Sequence, residues 1–228
     1  AVKILLKKNV KFIRQDVEDA WIISLNDMKW DNVILPHDWA VTQPFCEDNS
    51  SGTGYLPGGT GWYRIHFDLP EQIQGKNISV VFEGVYKHAQ VWCNQNYLGQ
   101  WANGYTTFAF DLTGLVRQKE NVLAIKVSHE DISDSRWYTG TGIERPVYLH
   151  IQEKVHAQET ESKVVTLAAD RRSAALEFSD VIVNNSSCRQ VVLIRKYMED
   201  ELLLETKREI ETGEEVQICF QKKISNPK

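Results

Sequence analysis

Two short segments combine acidic, basic and aromatic side chains that could bind a ligand with polar groups. They are residues 37–39, His-Asp-Trp, and residues 135–138, Ser-Arg-Trp-Tyr. A carboxylate such as Asp38 can accept hydrogen bonds from hydroxyl groups. A guanidinium such as Arg136 can donate two hydrogen bonds to neighbouring hydroxyls or to a carboxylate. The tryptophan in each segment supplies a large apolar ring with one hydrogen-bond donor.

Metal and phosphate chemistry are poorly supported by the residue pattern. His37 stands beside Asp38 with no further ligand at a suitable spacing, so no metal site is predicted. Residues 52–61 are rich in glycine but lack the Gly-Lys-Ser/Thr ending of a phosphate loop, and they lead into a strand instead of a helix. No cofactor is expected.

Each candidate residue also has a structural interpretation, which the sequence leaves open. Arg136 could pair with a local carboxylate, either Asp131 or Asp134. Trp137 could pack in the core, and Trp39 could lie in an ordered loop without touching a ligand. Whether either segment binds a ligand therefore depends on which of these side chains the fold leaves accessible.

Short strands account for most of the first part of the chain. Residues 62–69 alternate apolar and polar side chains with the period of two that is typical of a strand. Residues 94–97, Asn-Gln-Asn-Tyr, indicate a hairpin turn. Further β-branched or aromatic runs bounded by turn residues lie at 78–83, 89–93, 107–110, 122–128 and 147–151. This pattern predicts an all-β chain that forms a sandwich or jelly roll.

Composition changes near residue 155 and indicates two domains. All seven tryptophans and twelve of the thirteen glycines come before that point. We therefore expect one domain over residues 1–156 and a second over 157–228. The second domain should contain five strands, which is too few for a complete immunoglobulin-type sandwich. They are expected at 163–169, 174–183, 191–197, 202–206 and 215–223.

Charge and cysteine content exclude several classes of partner. The formal net charge is −5 and no basic stripe is present, so neither nucleic acid nor a membrane is an expected partner. No signal-peptide pattern begins the chain, so the protein stays inside the cell or has lost its signal. The four cysteines form no CxxC motif and are expected to be free and mostly buried. Cys188 and Cys219 are the one pair that could face each other across a sandwich.

Several motifs, in their order and spacing, resemble those of one family. They are Leu-Pro-His-Asp-Trp at 35–39, Gly-Tyr-Leu-Pro-Gly-Gly-Thr-Gly-Trp-Tyr-Arg at 54–64, Phe-Glu-Gly-Val-Tyr at 82–86, Gly-Tyr-Thr-Thr-Phe at 104–108 and Ser-Arg-Trp-Tyr-Thr-Gly-Thr-Gly-Ile-Glu-Arg at 135–145. The set resembles the N-terminal sugar-binding domain of glycoside hydrolase family 2, which includes β-galactosidases, β-glucuronidases and β-mannosidases. Residues 157–228 are similar to the start of that family's immunoglobulin-like second domain.

The resemblance implies a galactose-binding-like jelly-roll β-sandwich, then a truncated immunoglobulin-like β-sandwich. A (β/α)₈ barrel, absent here, would follow as a partner within the same chain and would carry the chemistry. In this family the acid/base glutamate follows an asparagine, and no Asn-Glu dipeptide occurs in the sequence. The resemblance therefore implies no catalytic residue here and an inactive part of a retaining glycosidase, for which β-galactosidase is favoured.

The resemblance also implies where a carbohydrate substrate would be contacted in the full-length protein. The loop at 135–145 would reach the mouth of the barrel, so Arg136, Trp137, Asp38 and Trp39 are the candidate substrate-binding residues. In some relatives an aspartate stands where this chain has Arg136. A homo-oligomer is possible, and a bacterial periplasmic or secreted location is favoured over the cytoplasm. The alternatives are a stand-alone carbohydrate-binding module and a purely structural scaffold domain.

Overall fold

A computed structural model describes residues 2–71, 73, 75–130, 137–158 and 161–225. The chain divides into two compact units, of which the first ends at Ile151 and the second begins at Gln152. This division lies a few residues before the boundary expected from composition, because His156 and Ala157 pair with a strand of the second unit.

Antiparallel strands build the first unit. In chain order they are β1 (Val2–Leu5), β2 (Val10–Ile13), β3 (Asp31–Val33), β4 (His37–Asp38), β5 (Gly59–Phe67), β6 (Asn77–Phe82), β7 (Ala89–Cys93), β8 (Asn96–Trp101), β9 (Phe108–Asp111), β10 (Asn121–His129), β11 (Gly142–Ile143) and β12 (Val147–Gln152). Short 3₁₀ turns occur at Ala40–Thr42 and Ser51–Thr53. One sheet has the order β1-β12-β6-β9, the large sheet has the order β3-β2-β5-β10-β7-β8, and β4 pairs with β11.

The space between the two sheets is filled by one side of each strand. Leu123, Ile125 and Val127 on β10 are fully buried, as are Val80 on β6 and Leu149 on β12. They recur at every second position because successive strand side chains point to opposite faces. The prediction of an all-β fold built from β-sandwiches is confirmed.

The other face of the large sheet is partly covered by the segment between β2 and β3. Trp62 and Ala124 on this face pack with Ala20 and Trp30 of that segment. Both faces of β5 are therefore buried along most of its length, which its simple alternation in sequence did not predict. We call this face of the large sheet, turned away from the main core, its outer face.

A buried arginine fastens the covering segment to the sheet. Arg64 on β5 has no exposed surface, and its Nε donates to Asp27 Oδ2 at 2.7 Å. Its two Nη groups donate to the backbone carbonyls of Ala20, Ile22 and Ile23. Burial disfavours the charged form of Asp27, but hydrogen bonds from Arg64 and from a nearby histidine outweigh it and lower the pKa of that carboxyl.

The second unit holds six strands within its described residues. They are β13 (Val155–Ala157), β14 (Lys163–Ala169), β15 (Ser173–Asn184), β16 (Gln190–Met198), β17 (Glu201–Ile210) and β18 (Glu215–Ser225). The five strands expected from the sequence all appear, and β13 is additional. One edge of β15 pairs with β18, and its other edge pairs with both β14 and β13. The strands β16 and β17 form a separate pair. Ile182, Ile210 and Ile218 form the buried core of the unit.

The cysteines are free, but the expectation that most are buried is wrong. Cys93, on β7, is buried, whereas Cys46, Cys188 and Cys219 are exposed. Cys188 lies in the turn before β16 and Cys219 lies on the exposed side of β18, so the possible pairing of these two is not formed. None of the short helical turns among the described residues has the length and apolar character that crossing a membrane requires.

Candidate functional site around Asp38, Tyr138 and Glu144

Pairing of β4 with β11 brings the two candidate segments together. Asp38 lies opposite Gly142, and His37 lies opposite Ile143. The backbone N–H of Trp39 donates to the carbonyl of Thr141 at 3.1 Å and extends the contact by one residue. Side chains separated by about one hundred positions in sequence therefore share one surface region.

Asp38 is held by hydrogen bonds to both of its carboxylate oxygens. Its Oδ1 accepts from the backbone N–H of Ala40 at 2.9 Å, and its Oδ2 accepts from the hydroxyl of Tyr138 at 2.5 Å. Burial raises the pKa of Tyr138 above its ordinary value, and the bond to Asp38 raises it further because the carboxylate stabilises the protonated phenol. Tyr138 is therefore a fixed hydrogen-bond donor throughout the physiological pH range.

Glu144 provides a second carboxyl group with different properties. Burial, followed by the negative charge of Asp38, raises the pKa of Glu144 to about 8, although Arg145 and a backbone hydrogen bond from Thr141 oppose the change. At neutral pH the group is therefore mainly protonated and can donate a hydrogen bond. The site thus combines a hydrogen-bond acceptor at Asp38 with a neutral acid at Glu144, and two carboxyl groups in unlike environments are typical of functional sites.

Buried polar atoms without partners occur on both segments. Trp39 Nε1, Thr139 Oγ1 and Glu144 Oε1 are inaccessible to solvent and make no hydrogen bond to any described residue. Most buried polar atoms in proteins are paired, and each exception calls for an explanation such as strain, function or an ordered water. These three buried atoms therefore have hydrogen-bonding capacity that no described residue uses.

Two glycines allow the loop to approach its neighbours closely. A Cβ atom on Gly140 would lie 1.4 Å from Glu144 Oε1, and one on Gly142 would lie 2.5 Å from the carbonyl oxygen of His37. Both residues also have positive φ, +94° and +128°, which side chains disfavour. Substitution at either glycine would therefore displace a group that defines the site.

The two sequence neighbours of Asp38, His37 and Trp39, belong to an aromatic cluster. The ring of Trp39 stacks on Phe12 with centroids 5.5 Å apart, and His37 Nδ1 lies 3.0 Å from the hydroxyl of Tyr63. That hydroxyl also lies 3.1 Å from the backbone carbonyl of His37 and can donate its one proton there. The Nδ1–H tautomer of His37 then donates to Tyr63, and burial lowers the pKa of His37, which favours its neutral form.

The four candidate substrate-binding residues differ in whether the structure describes them and in how exposed their side chains are. Arg136 lies outside the described residues, together with Asp131 and Asp134. Trp137 is 65% exposed, so the alternative that it packs in the core is wrong. Trp39 is 1% exposed and belongs to the core, so neither face of its ring is open to a sugar.

Sequence analysis missed two residues of this site. Asp38, a sequence candidate, lies at its centre, but neither Tyr138 nor Glu144 was singled out. The one sequence signal for Glu144 is its place between a glycine-rich loop and a buried strand, where a charged side chain is unusual. Among the described residues, no group of three histidine, cysteine, aspartate or glutamate side chains could hold a metal ion.

The glycine-rich segment lies beside a separate hollow of the first unit. The hollow has a volume of about 360 Å³ and is lined partly by residues 48–50 and by Gly58 and Gly59. Thr60, at the start of β5, donates a hydrogen bond of 2.6 Å to Glu130 Oε1 at the same hollow. The segment leads into a strand, as its sequence predicted.

Comparison with known proteins defines the class of this domain. Residues 15–153 match the sugar binding domain of the glycosyl hydrolases family 2. A solved structure of a family 2 glycosyl hydrolase from Bacteroides cellulosilyticus superposes on this chain with a TM-score of 0.79 at 28% identity. The superposition covers 99% of this chain and 31% of the B. cellulosilyticus chain. The chain belongs to glycosyl hydrolase family 2.

Relatives with named activities fall into two groups. β-Galactosidase BoGH2A of Bacteroides ovatus is 36% identical over 209 residues, which cover 88% of this chain and 25% of that protein. A β-glucuronidase of Formosa agariphila is 33% identical over 162 residues, which cover 64% of this chain and 16% of that protein. The structure of Bacteroides uniformis β-glucuronidase 2, at 22% identity and a TM-score of 0.83, shows the same fold. The chain therefore spans about a quarter or less of the length of these two curated relatives.

Proposed function

We propose that this chain is the N-terminal, non-catalytic part of a retaining glycoside hydrolase, and that the whole protein is a β-galactosidase. The similarity to BoGH2A supports this, since it covers 88% of this chain and therefore reaches beyond the first unit. The chemistry would belong to a (β/α)₈ barrel in the same polypeptide, and the substrate would be a carbohydrate.

The observation that carries the role of this chain is the constellation at the β4–β11 pair. Asp38 is a positioned acceptor, Glu144 is a neutral donor at pH 7, and Trp137 is 65% exposed beside them. Sugars are recognised by such combinations of hydrogen-bonding groups and an aromatic face. We propose that Asp38 and Trp137 contact substrate in the full-length protein, that Arg136 does so from the same loop, and that Trp39 supports Asp38 from the core.

The carboxyl pair of this chain does not supply the hydrolytic step. A retaining mechanism needs a carboxylate free to attack the sugar and an acid positioned on the leaving oxygen. Both oxygens of Asp38 are already engaged, by Ala40 and by Tyr138, and Glu144 Oε1 is buried. The isolated 228-residue chain should therefore not turn over chromogenic galactosides or glucuronides. Hydrolysis that copurifies with the chain through successive columns would contradict this assignment.

Substitutions in the full-length protein test the binding role. Asp38→Asn, Trp137→Ala and Arg136→Ala should each lower kcat/KM for a galactoside about 10- to 100-fold, the cost of one strong contact. Trp137 is so exposed that its replacement should leave the melting temperature nearly unchanged. Tyr197→Ala, at an exposed position of the second unit, is the control and should alter neither quantity. Unchanged kinetics in all three variants would remove these residues from the substrate site.

A further inference from the structure

The outer face of the large sheet carries a row of amide and hydroxyl groups beside aromatic rings. Gln100 on β8 lies opposite Gln90 on β7, and Gln90 lies opposite Lys126 on β10. Residues directly opposite each other on neighbouring strands share a face, so these three side chains form one row. With Ser128 they line a hollow of about 300 Å³.

The aromatic rings lie immediately next to this row. Trp92, two positions beyond Gln90 on β7, lies opposite Tyr97, and their ring centroids are 5.2 Å apart. Tyr97 is 53% exposed, whereas Trp92 is half-buried against Trp62. The ring of Trp92 is therefore partly covered, whereas the neighbouring ring of Tyr97 is open to solvent.

An irregularity in β8 places Tyr97 and Gln100 on the same face. Side chains three residues apart on a regular strand point to opposite faces. Here the register shifts between Val91 and Trp92, so Gln100 pairs with Gln90 and Tyr97 pairs with Trp92. Such a β-bulge inserts one extra residue and redirects the side chains beyond it.

The amide and hydroxyl groups of this row are neutral, and His88 also lines the hollow. Lys126 Nζ is 2.7 Å from Asp16 Oδ1, so its charge is already balanced. The side chains of Gln90, Gln100 and Ser128 make no hydrogen bond to any residue that the structure describes. An anion or cation would find no unpaired opposite charge in this row, whereas a ligand with many hydroxyl groups could use both the donor and the acceptor of each amide.

From this arrangement we propose that the outer face of β7, β8 and β10 is a binding site for one end of a neutral oligosaccharide. The ring of Tyr97 stacks on the apolar face of a sugar, and Gln90, Gln100 and Ser128 bond its hydroxyl groups. The volume is at the lower end of the range for small-molecule sites, about 300 Å³, which suits a short saccharide. The site shares no residue with the cluster around Asp38.

Calorimetric titration of the 228-residue chain with cellotetraose, β-1,4-galactotetraose and xylotetraose tests the proposal. At least one of these neutral probes should bind saturably. Tyr97→Ala, and separately Gln90→Ala combined with Gln100→Ala, should weaken that binding about tenfold or more. Tyr197→Ala is the matched control, because Tyr197 is 52% exposed but lies in the second unit. It should bind as the unaltered chain does.

The melting temperature of each variant shows whether it is folded. The proposal is overturned if none of the three probes binds, or if binding survives in both the tyrosine and the glutamine variants. It is also overturned if the charged trigalacturonate binds more tightly than every neutral probe.

Discussion

The hydroxyl of Tyr138 donates a hydrogen bond of 2.5 Å to Oδ2 of Asp38, a residue one hundred positions earlier in the chain. The bond joins the strand that carries Asp38 to the loop that leads to Glu144. Burial, and then the negative charge of the nearby Asp38, raises the pKa of Glu144.

Removing this bond should destabilise the first unit modestly. We expect Tyr138→Phe to lower the free energy of unfolding by about 1 kcal/mol, because the lost bond is charge-assisted but partly open to solvent. Tyr105→Phe is the matched control, since its hydroxyl donates to the neutral carbonyl of Thr139 at 3.3 Å. Urea denaturation of the two variants gives the comparison. A larger loss from Tyr105→Phe would show that the contact with Asp38 contributes little.

Glu144 should make stability fall as pH rises. Its pKa in the folded chain, about 8, is above the ordinary glutamate value of 4.5, so the folded state binds more protons between these values. The contribution of Glu144 to the free energy of unfolding is therefore complete below about pH 4.5, and it is lost as pH rises through about 8.

Replacement by glutamine should abolish that dependence. We expect Glu144→Gln to be more stable than the unaltered chain at pH 9, by an amount on the order of 1 kcal/mol because the side chain is only partly buried. At pH 5 the two proteins should be nearly equal. Melting temperatures across this range measure the difference, and parallel curves for the two proteins would contradict the raised pKa of Glu144.

Arg64 should be among the most sensitive positions of the first unit. Arg64→Met leaves Asp27 without its main partner and exposes three backbone carbonyls to an apolar side chain, so we expect a loss of about 3–5 kcal/mol. Lys126→Met is the control within the first unit, because Lys126 pairs with Asp16, whose side chain is 59% exposed, and should change stability less. Chemical denaturation followed by tryptophan fluorescence reports on the first unit. Similar stabilities for the two variants would show that Arg64 does not fasten the covering segment.

Exposed apolar side chains on β16 should promote self-association. Within the described residues β16 pairs only with β17, and Val191 and Leu193 are 58% and 45% exposed. A strand with an unpaired edge and an apolar surface is a site for pairing with another chain. We expect Val191→Lys combined with Leu193→Lys to reduce oligomer formation in sedimentation velocity at high concentration. An unchanged distribution of species would exclude this surface as the contact.

The sequence by itself determined the fold class and the places of the longer strands. Alternation of apolar and polar residues is a local property, so the strands of the second unit could be located from residues 163–223 alone. Asp38 and Trp137 could likewise be selected as candidates, because short segments already show their residue types. The turn at 94–97 was also predicted, and Asn94 and Gln95 there have the positive φ angles of a tight hairpin.

Tertiary structure alone decided which candidate side chains are accessible and which are charged. Trp39 and Trp137 have similar sequence surroundings, yet one is 1% exposed and the other 65% exposed. Trp39 is held next to the pairing of β4 with β11, which no local pattern encodes. The same pairing places the charge of Asp38 near Glu144, and the irregularity in β8 places Tyr97 beside Gln100. Burial and electrostatic fields are sums over neighbours distant in sequence, and only the folded chain brings those neighbours together.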